Sequence, residues 1–502
     1  MDNLRLLIIK ISKNELIIIN DIRMKKHLLF AVIGAVLLGA TSCGKPRGHL
    51  VGVYSKSHNE TAPYGMVFVP RGSFSMGANE QSFSWALQPS QRHISIDAFW
   101  MDQTEITNGE YRQFVEWVRD SIVRTKLLQE MDVVGEEEAS KWFKERANYT
   151  LEGPVMDSVL NWKTKIPWKA KYDENDDEKA GKWNAVQQMY FYGQDMIEAG
   201  QLNAHLLIYK YKFVNYDQAA LPGNEFNPYI NAYNPTAKVR VDSAWMNADG
   251  SIGDTVIVKP LRHRSDLIST KIINIYPDTM VWMRDFSYSY NEPMMQNYFA
   301  HPGFGEFPVV GVSWDQAQAF CWWRTTNLYR AANLPKTQEW RLPTDAEWEY
   351  AARGGRHDAI YPWGGPYIRD SKGCFLANFK PMRGNYTEDG YLYPSRVAVY
   401  KPNDFGLYDM AGNVAEWTVT TYDDQLSSFT LDMNPHYNYK AKKDDPAVMR
   451  RKVVRGGSWK DVAAYLQCAT VTYEYQNKRS AAIGFRCVRS YIGDKARSRA
   501  KK

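Results

Sequence analysis

No charge of one sign dominates this chain: 62 Lys and Arg stand against 56 Asp and Glu over 502 residues. A net charge of +6 spread so thinly offers no electrostatic footprint for nucleic acid. The one basic cluster, Lys495 to Lys502, reads as a solvated tail. Long apolar runs are also missing. The stretch Leu28 to Leu38 falls short of the roughly 20 residues that cross a bilayer. Cysteine is scarce, with five residues, and none of them sits in a metal-binding repeat. Aromatics are what the chain has in quantity. Its 17 Trp and 32 Tyr can fill a sizeable core and leave rings for surfaces.

The short apolar run has a purpose of its own. Met24-Lys25-Lys26 is a positive n-region, Leu28 to Leu38 an apolar h-region, and Ala40-Thr41-Ser42 places small residues before Cys43. That order is a signal peptide, and a cysteine directly after it resembles a lipobox. The resemblance implies acylation of Cys43, and several acyl chains anchor far more firmly than one. Residues 1–23 precede a complete signal and read as an over-extended gene start, leaving 24–42 as the signal peptide. The mature sequence opens Gly44-Lys45-Pro46-Arg47 and lacks an acidic run of the kind that resembles a surface-export signal. The expected location is the periplasmic face of the outer membrane, lipid-anchored. That compartment is oxidising, so Cys321, Cys374, Cys468 and Cys487 are free to pair.

Beyond a polar tether (43–62), Met66 to Met76 alternates apolar and polar residues around Pro70-Arg71-Gly72, as a hairpin would. His93 to Ile96 and Phe99 to Met101 are further strands. Three helices announce themselves by capping boxes: Thr107 with Glu110, Ser313 with Gln316, and Thr344 with Glu347. Tyr111, Phe114, Val115 and Val118 follow the first at helical spacing, and Ala317, Phe320, Cys321 and Trp323 follow the second. The third stops at Gly354-Gly355. From 121 to 302 the composition changes: charged clusters alternate with aromatic stretches, without a repeat and without a chemical motif. This reads as an insertion, with a strand or two in Arg262 to Ile275. The scaffold on either side spans 63–120 and 303–490, and 491–502 is the basic tail.

The scaffold segments carry a resemblance. Met66-Val67-Phe68-Val69-Pro70 with Gly72-Ser73-Phe74, then Thr104-Glu105-Ile106-Thr107-Asn108, then Pro308 to Trp314 and Arg341 to Glu349 come in order. Gly406-Leu407-Tyr408-Asp409-Met410, Gly412-Asn413-Val414 with Glu416-Trp417, Arg455 to Trp459 and Gly484 to Cys487 complete the set. Together these blocks resemble the formylglycine-generating enzyme (sulfatase-modifying factor) family. The resemblance implies an α+β, C-type-lectin-like fold with little regular secondary structure, here carrying a large insertion. It also implies a copper-dependent oxidation of a sulfatase cysteine, which needs two thiolates shortly after the Gly-Gly-Ser-Trp block. Those positions hold Asp461 and Leu466. A carboxylate and an aliphatic side chain cannot hold soft copper(I) as a thiolate pair does. Cys468 lies nearby, offset and alone. Another branch of the fold works on non-haem iron, but the nine His include no His-x-x-x-Glu-His helix. The chain is expected to be no enzyme and to bind no copper.

What the resemblance leaves is structural. It implies one calcium site from Asn378, Phe379, Asp389 and Tyr391, and a second from Asn413, Val414 and Glu416, with protein-only hydrogen bonding as the alternative. Oxygen-only ligands suit calcium. It also implies a disulfide between Cys321 and Cys487. The combination of lipobox, silent catalytic positions and a long aromatic insertion resembles the type IX secretion and gliding-motility lipoproteins of Bacteroidota, the GldK/PorK family. That second resemblance implies a periplasmic ring, self-associated and built with a GldN/PorN-type partner, needed for protein export. A GldJ-like sibling, a lectin-like carbohydrate-binding lipoprotein and a residual oxidase stay open as alternatives.

Overall fold

Four short strands open the described part of the chain: β1 (Met66–Val69), β2 (Gly72–Met76), β3 (Arg92–Ile96) and β4 (Phe99–Asp102). The computed structural model describes residues 62–79, 91–150, 153–191, 200–247, 251–285, 297–331, 338–381 and 384–492. The expected signal peptide, Cys43 and the expected basic tail beyond Ile492 lie outside them. No helix among the described residues is long and apolar enough to cross a membrane.

The expected Met66–Met76 hairpin does not form. β1 pairs with β4, whereas β2 pairs with β3. The reason is tertiary. Tyr350 donates its hydroxyl to the Pro70 carbonyl at 3.0 Å, and a side chain at Gly72 would meet the same hydroxyl. The turn is thus held out of hairpin geometry, and the two strands serve different sheets.

Helix α1 (Asn108–Val134) starts on the expected box: Glu110 N donates to Thr107 Oγ1 and Thr107 N to Glu110 Oε2. It runs past the boundary expected at residue 120, because Val123, Leu127 and Met131 continue the buried stripe at helical spacing. Helices α2 (Trp314–Ala331) and α3 (Asp345–Arg353) begin on the other two boxes, and Gly354 closes α3 in the left-handed conformation. Tyr111 of α1 stacks on Phe320 of α2 with ring centroids 5.5 Å apart, and Phe485 packs edge-on to both. Each such fully buried ring contributes on the order of 1.5–3 kcal/mol.

Six further scaffold strands are β5 (Trp340–Arg341), β6 (Ala415–Thr421), β7 (Arg451–Arg455), β8 (Thr472–Tyr475), β9 (Ile483–Gly484) and β10 (Val488–Ser490). They complete two four-stranded sheets, ordered β1-β4-β10-β5 and β8-β7-β6-β9. Elsewhere the scaffold is loops held by side chains, as the resemblance implies. Residues 121–302 are richer in regular structure than expected. Antiparallel pairs join Phe143–Thr150 to Gly153–Leu160, Lys238–Met246 to Ile252–Pro260, and Ile208–Val214 to Ile268–Asn274. They belong to the same compact unit as the scaffold, Glu60–Ile492.

Candidate functional site

The loop after β7 is where the family resemblance puts its chemistry. Gly456 and Gly457 both have positive φ, 93° and 66°. A Cβ on Gly457 would lie 2.9 Å from the Tyr465 carbonyl oxygen and from Leu466 Cδ1, so only glycine lets the two limbs of the loop close. Ser458 follows, fully buried, and donates from N and from Oγ to Asp461 Oδ2 at 2.9 and 2.5 Å. Leu466 is buried against Tyr361 and Phe379. One thiolate position is therefore a carboxylate tied back to its own turn, and the other is core. Above them a cleft of about 360 Å³ is lined by Ser458, Lys460, Asp461, Tyr465 and Arg479.

Cys468 does not replace the missing pair. Burial pushes its thiol up to about 12, despite Arg353 and Arg455 nearby. A thiol that stays protonated is neither nucleophile nor soft metal ligand. Its carbonyl accepts instead from Arg455 Nη1 at 2.9 Å. Cys374 is exposed. Cys321 and Cys487 are brought together, both buried, as two thiols with their sulfurs 3.4 Å apart.

The expected calcium ligands fall into two neighbouring clusters. In the first, Asp389 accepts from Phe379 N at 2.8 Å and from Tyr391 N at 3.3 Å, and burial holds its carboxyl above the usual range. Asn378 donates to the Tyr393 carbonyl, while its own Oδ1 is buried without a partner. In the second, Asn413 sits in the left-handed region at φ 61°. Its Oδ1 accepts from Ser395 N at 2.9 Å, and its amide donates to Glu105 Oε1 at 3.1 Å. The amide of Val414 also faces Glu105. Glu416 is committed elsewhere: Arg486 Nη2 and Nε grip it at 2.6–2.9 Å, and Trp348 Nε1 donates at 2.8 Å.

Beside Asn413 lie two further acids that the sequence analysis does not single out, Glu105 and Asp409. Glu105 Oε2 and Asp409 Oδ1 are buried without a hydrogen-bond donor. Burial, then repulsion from Asp409, pushes Glu105 well up. Burial also raises Asp409 to about 6. Arg486 is the nearby cation, and Glu416 already holds it. A shared proton or a hard cation would each satisfy the two orphaned oxygens. No three His, Cys, Asp or Glu side chains converge as a metal centre among the described residues, so amide and backbone oxygens would have to complete the shell. Both acids lie inside the motif blocks, but only the fold places them together.

Comparison with known proteins bears on the family to which the fold belongs. The chain is 36% identical over 199 residues to the inactive C-alpha-formylglycine-generating enzyme 2 of Bos taurus, covering 38% of this chain and 54% of that protein. It is 33% identical over 184 residues to the formylglycine-generating enzyme of Streptomyces coelicolor, covering 36% and 52%. It thus spans about half the length of the curated relatives it matches. The solved structure of PvdO from Pseudomonas aeruginosa aligns at a TM-score of 0.41 with 14% identity, over 87% of this chain and 100% of that one. The model of the sulfatase-modifying factor enzyme 1-like domain matches residues 52–194 and 278–491 and leaves out 195–277, all of which lie within the expected insertion. A match over well over half of the sequence places this chain in the sulfatase-modifying factor enzyme 1-like (FGE-sulfatase) family.

Proposed function

We propose that this chain is a non-catalytic scaffold: an outer-membrane lipoprotein of the type IX secretion system, of the GldK/PorK kind, anchored through Cys43 and facing the periplasm. Its role is to form a periplasmic ring with further copies of itself and a GldN/PorN-type partner, as export requires. The observation that carries the non-catalytic reading is Asp461 bonded back onto Ser458, with Leu466 in the core. Without a thiolate pair, copper chemistry has no ligands here. Relatives named as inactive support the same reading. The lipobox and the composition of 121–302 support the assembly role, since function lives in what is added to a fold rather than in the fold itself.

In this reading the structural cofactor is calcium, held by hard oxygens around Asn378, Asp389, Glu105 and Asp409. Purified protein should neither bind copper(I) stoichiometrically nor oxidise a Cys-x-Pro-x-Arg peptide. Turnover of that peptide would overturn the first half of the proposal. Cys43→Ala should abolish acyl labelling, membrane association and co-purification with the ring partner. Export that survives this loss would overturn the second half.

A further inference from the structure

Beside the first turn of α3, on a face not used by the loop after β7, the scaffold holds a bowl of about 380 Å³. That volume lies within the range of about 300–1,000 Å³ usual for small-ligand sites. Its floor is apolar, made by the buried side chains of Ala346, Val453 and Val471. Asp345 opens onto it from α3. Arg455 Nε holds the Oδ1 of this carboxylate, and no group among the described residues donates to Oδ2. The segment after β6 supplies the rim, with Tyr422, Asp424, His436 and Tyr437. The Tyr422 hydroxyl donates to Asp424 Oδ1 at 2.8 Å. Neither the His436 ring nor the Tyr437 hydroxyl makes a hydrogen bond among the described residues. Desolvation and Arg341 push the His436 pKa down, so the imidazole is neutral near pH 7 and offers one donor and one acceptor.

The bowl therefore combines an apolar floor, phenol rings, unused acceptors on Asp345 and Asp424, and unused donors on Tyr437 and His436. Three ligand classes can be weighed against it. An anion would face Asp345, Asp423 and Asp424, while Arg92 in the lining is already held by Asp432, the Ser427 carbonyl and Thr430. An ammonium or guanidinium brings donors only, leaving the Tyr437 hydroxyl without an acceptor, and would sit at the positive end of α3. A neutral polyhydroxyl ring both donates and accepts, and its C–H face can cover the floor and the tyrosine rings. We propose that this bowl is a binding site for a neutral saccharide.

The site shares no residue with the loop of Ser458 and Asp461, and the inference stands apart from the assembly role. The detergent-solubilised full chain should bind neutral oligosaccharides on an array, and the best-bound tetrasaccharide should titrate in calorimetry. Tyr437→Ala and Asp424→Asn should each weaken that titration at least tenfold while leaving the far-UV spectrum unchanged. Should Tyr437→Ala fail to fold, the rim substitution Asp424→Asn decides alone. A silent array would overturn the proposal, as would saccharide binding indifferent to both substitutions. Tetralysine binding that Asp424→Asn abolishes, without saccharide binding, would reassign the bowl to cations and overturn it too.

Discussion

Replacing Glu105 by Gln should act in opposite directions depending on calcium. In the protein without a cation, Glu105 Oε2 and Asp409 Oδ1 are buried acceptors with no donor. An amide in place of the Glu105 carboxyl cannot ionise and supplies a fixed donor to Asp409. Satisfying a buried polar group contributes about 1–3 kcal/mol. Over the compact unit Glu60–Ile492, at about 2.1 cal/mol/K per residue, the unfolding entropy is roughly 0.9 kcal/mol/K, so the gain is about 1–3 °C in Tm. With calcium at 100 times its Kd, the wild type gains about 2.7 kcal/mol, roughly 3 °C, and the variant loses most of it. The pH dependence has a definite sign. Asp409 is raised to about 6 from 3.8, so its ionisation is opposed in the native state. In chelator, this residue's contribution to stability is present below pH 4 and lost as pH rises through 6. Calcium must displace that proton, so its stabilising effect shrinks below pH 6. Scanning fluorimetry of wild type and Glu105→Gln, in calcium and in chelator at pH 5 and 7.5, reads all of this. A wild-type Tm indifferent to calcium at pH 7.5, or a variant that keeps the whole response, refutes the reasoning.

Three other outcomes are expected. Lys452 is fully buried over the Trp314 ring, donates to Thr421, Asn438 and Tyr439, and is pushed down to about 7 by desolvation. The unfolded chain then binds more protons between pH 7 and 10, and wild-type stability should rise there relative to Lys452→Met by up to about 1.4 kcal/mol per pH unit in urea unfolding; parallel curves would count against it. Cys321 and Cys487 should be found linked by non-reducing peptide mapping of protein purified without reductant, with reduction costing about 2–5 kcal/mol; quantitative alkylation of both without reductant would show otherwise. Gly457→Ala should cost at least about 1–3 kcal/mol in the same urea assay, because φ is +66° and the new Cβ meets the Tyr465 carbonyl; an unchanged midpoint would contradict the geometry.

The parts of the fold legible in the sequence were the local ones. Each capping box is settled within four residues, and all three open the helix expected of them. The pairing of β1 and β2 was not legible, because Tyr350, far along the chain, decides it through Pro70 and Gly72. The boundary expected at residue 120 follows a change in composition. Packing instead carries α1 on through Met131. The candidate site divides in the same way. The loop carrying Asp461 and Leu466 is legible directly, since it follows the Gly-Gly-Ser-Trp block within one short stretch. The acid pair is not, because Glu105 and the Asn413 turn it meets are 308 positions apart. Glu416 reads as a cation ligand in the sequence because nothing local reveals that Arg486 holds it.

The same separation explains why the loop of Asp461 and Leu466 can vary without disturbing the frame of the fold. The features that fix the scaffold are buried charge networks: Arg455 with Asp345 and Glu349, Arg353 with Glu349, and Arg486 with Glu416, every partner almost wholly out of solvent. Removing one member of such a pair costs about 3–5 kcal/mol, because the other is left buried and unpaired. None of these pairs uses the side chain of Asp461 or Leu466. Asp461 reaches the frame through Ser458 and through its carbonyl, which accepts from Lys380 N at 2.9 Å. Leu466 joins a small apolar cluster that welcomes an aliphatic side chain. A carboxylate at 461 and a branched aliphatic at 466 therefore suit the loop without touching these networks.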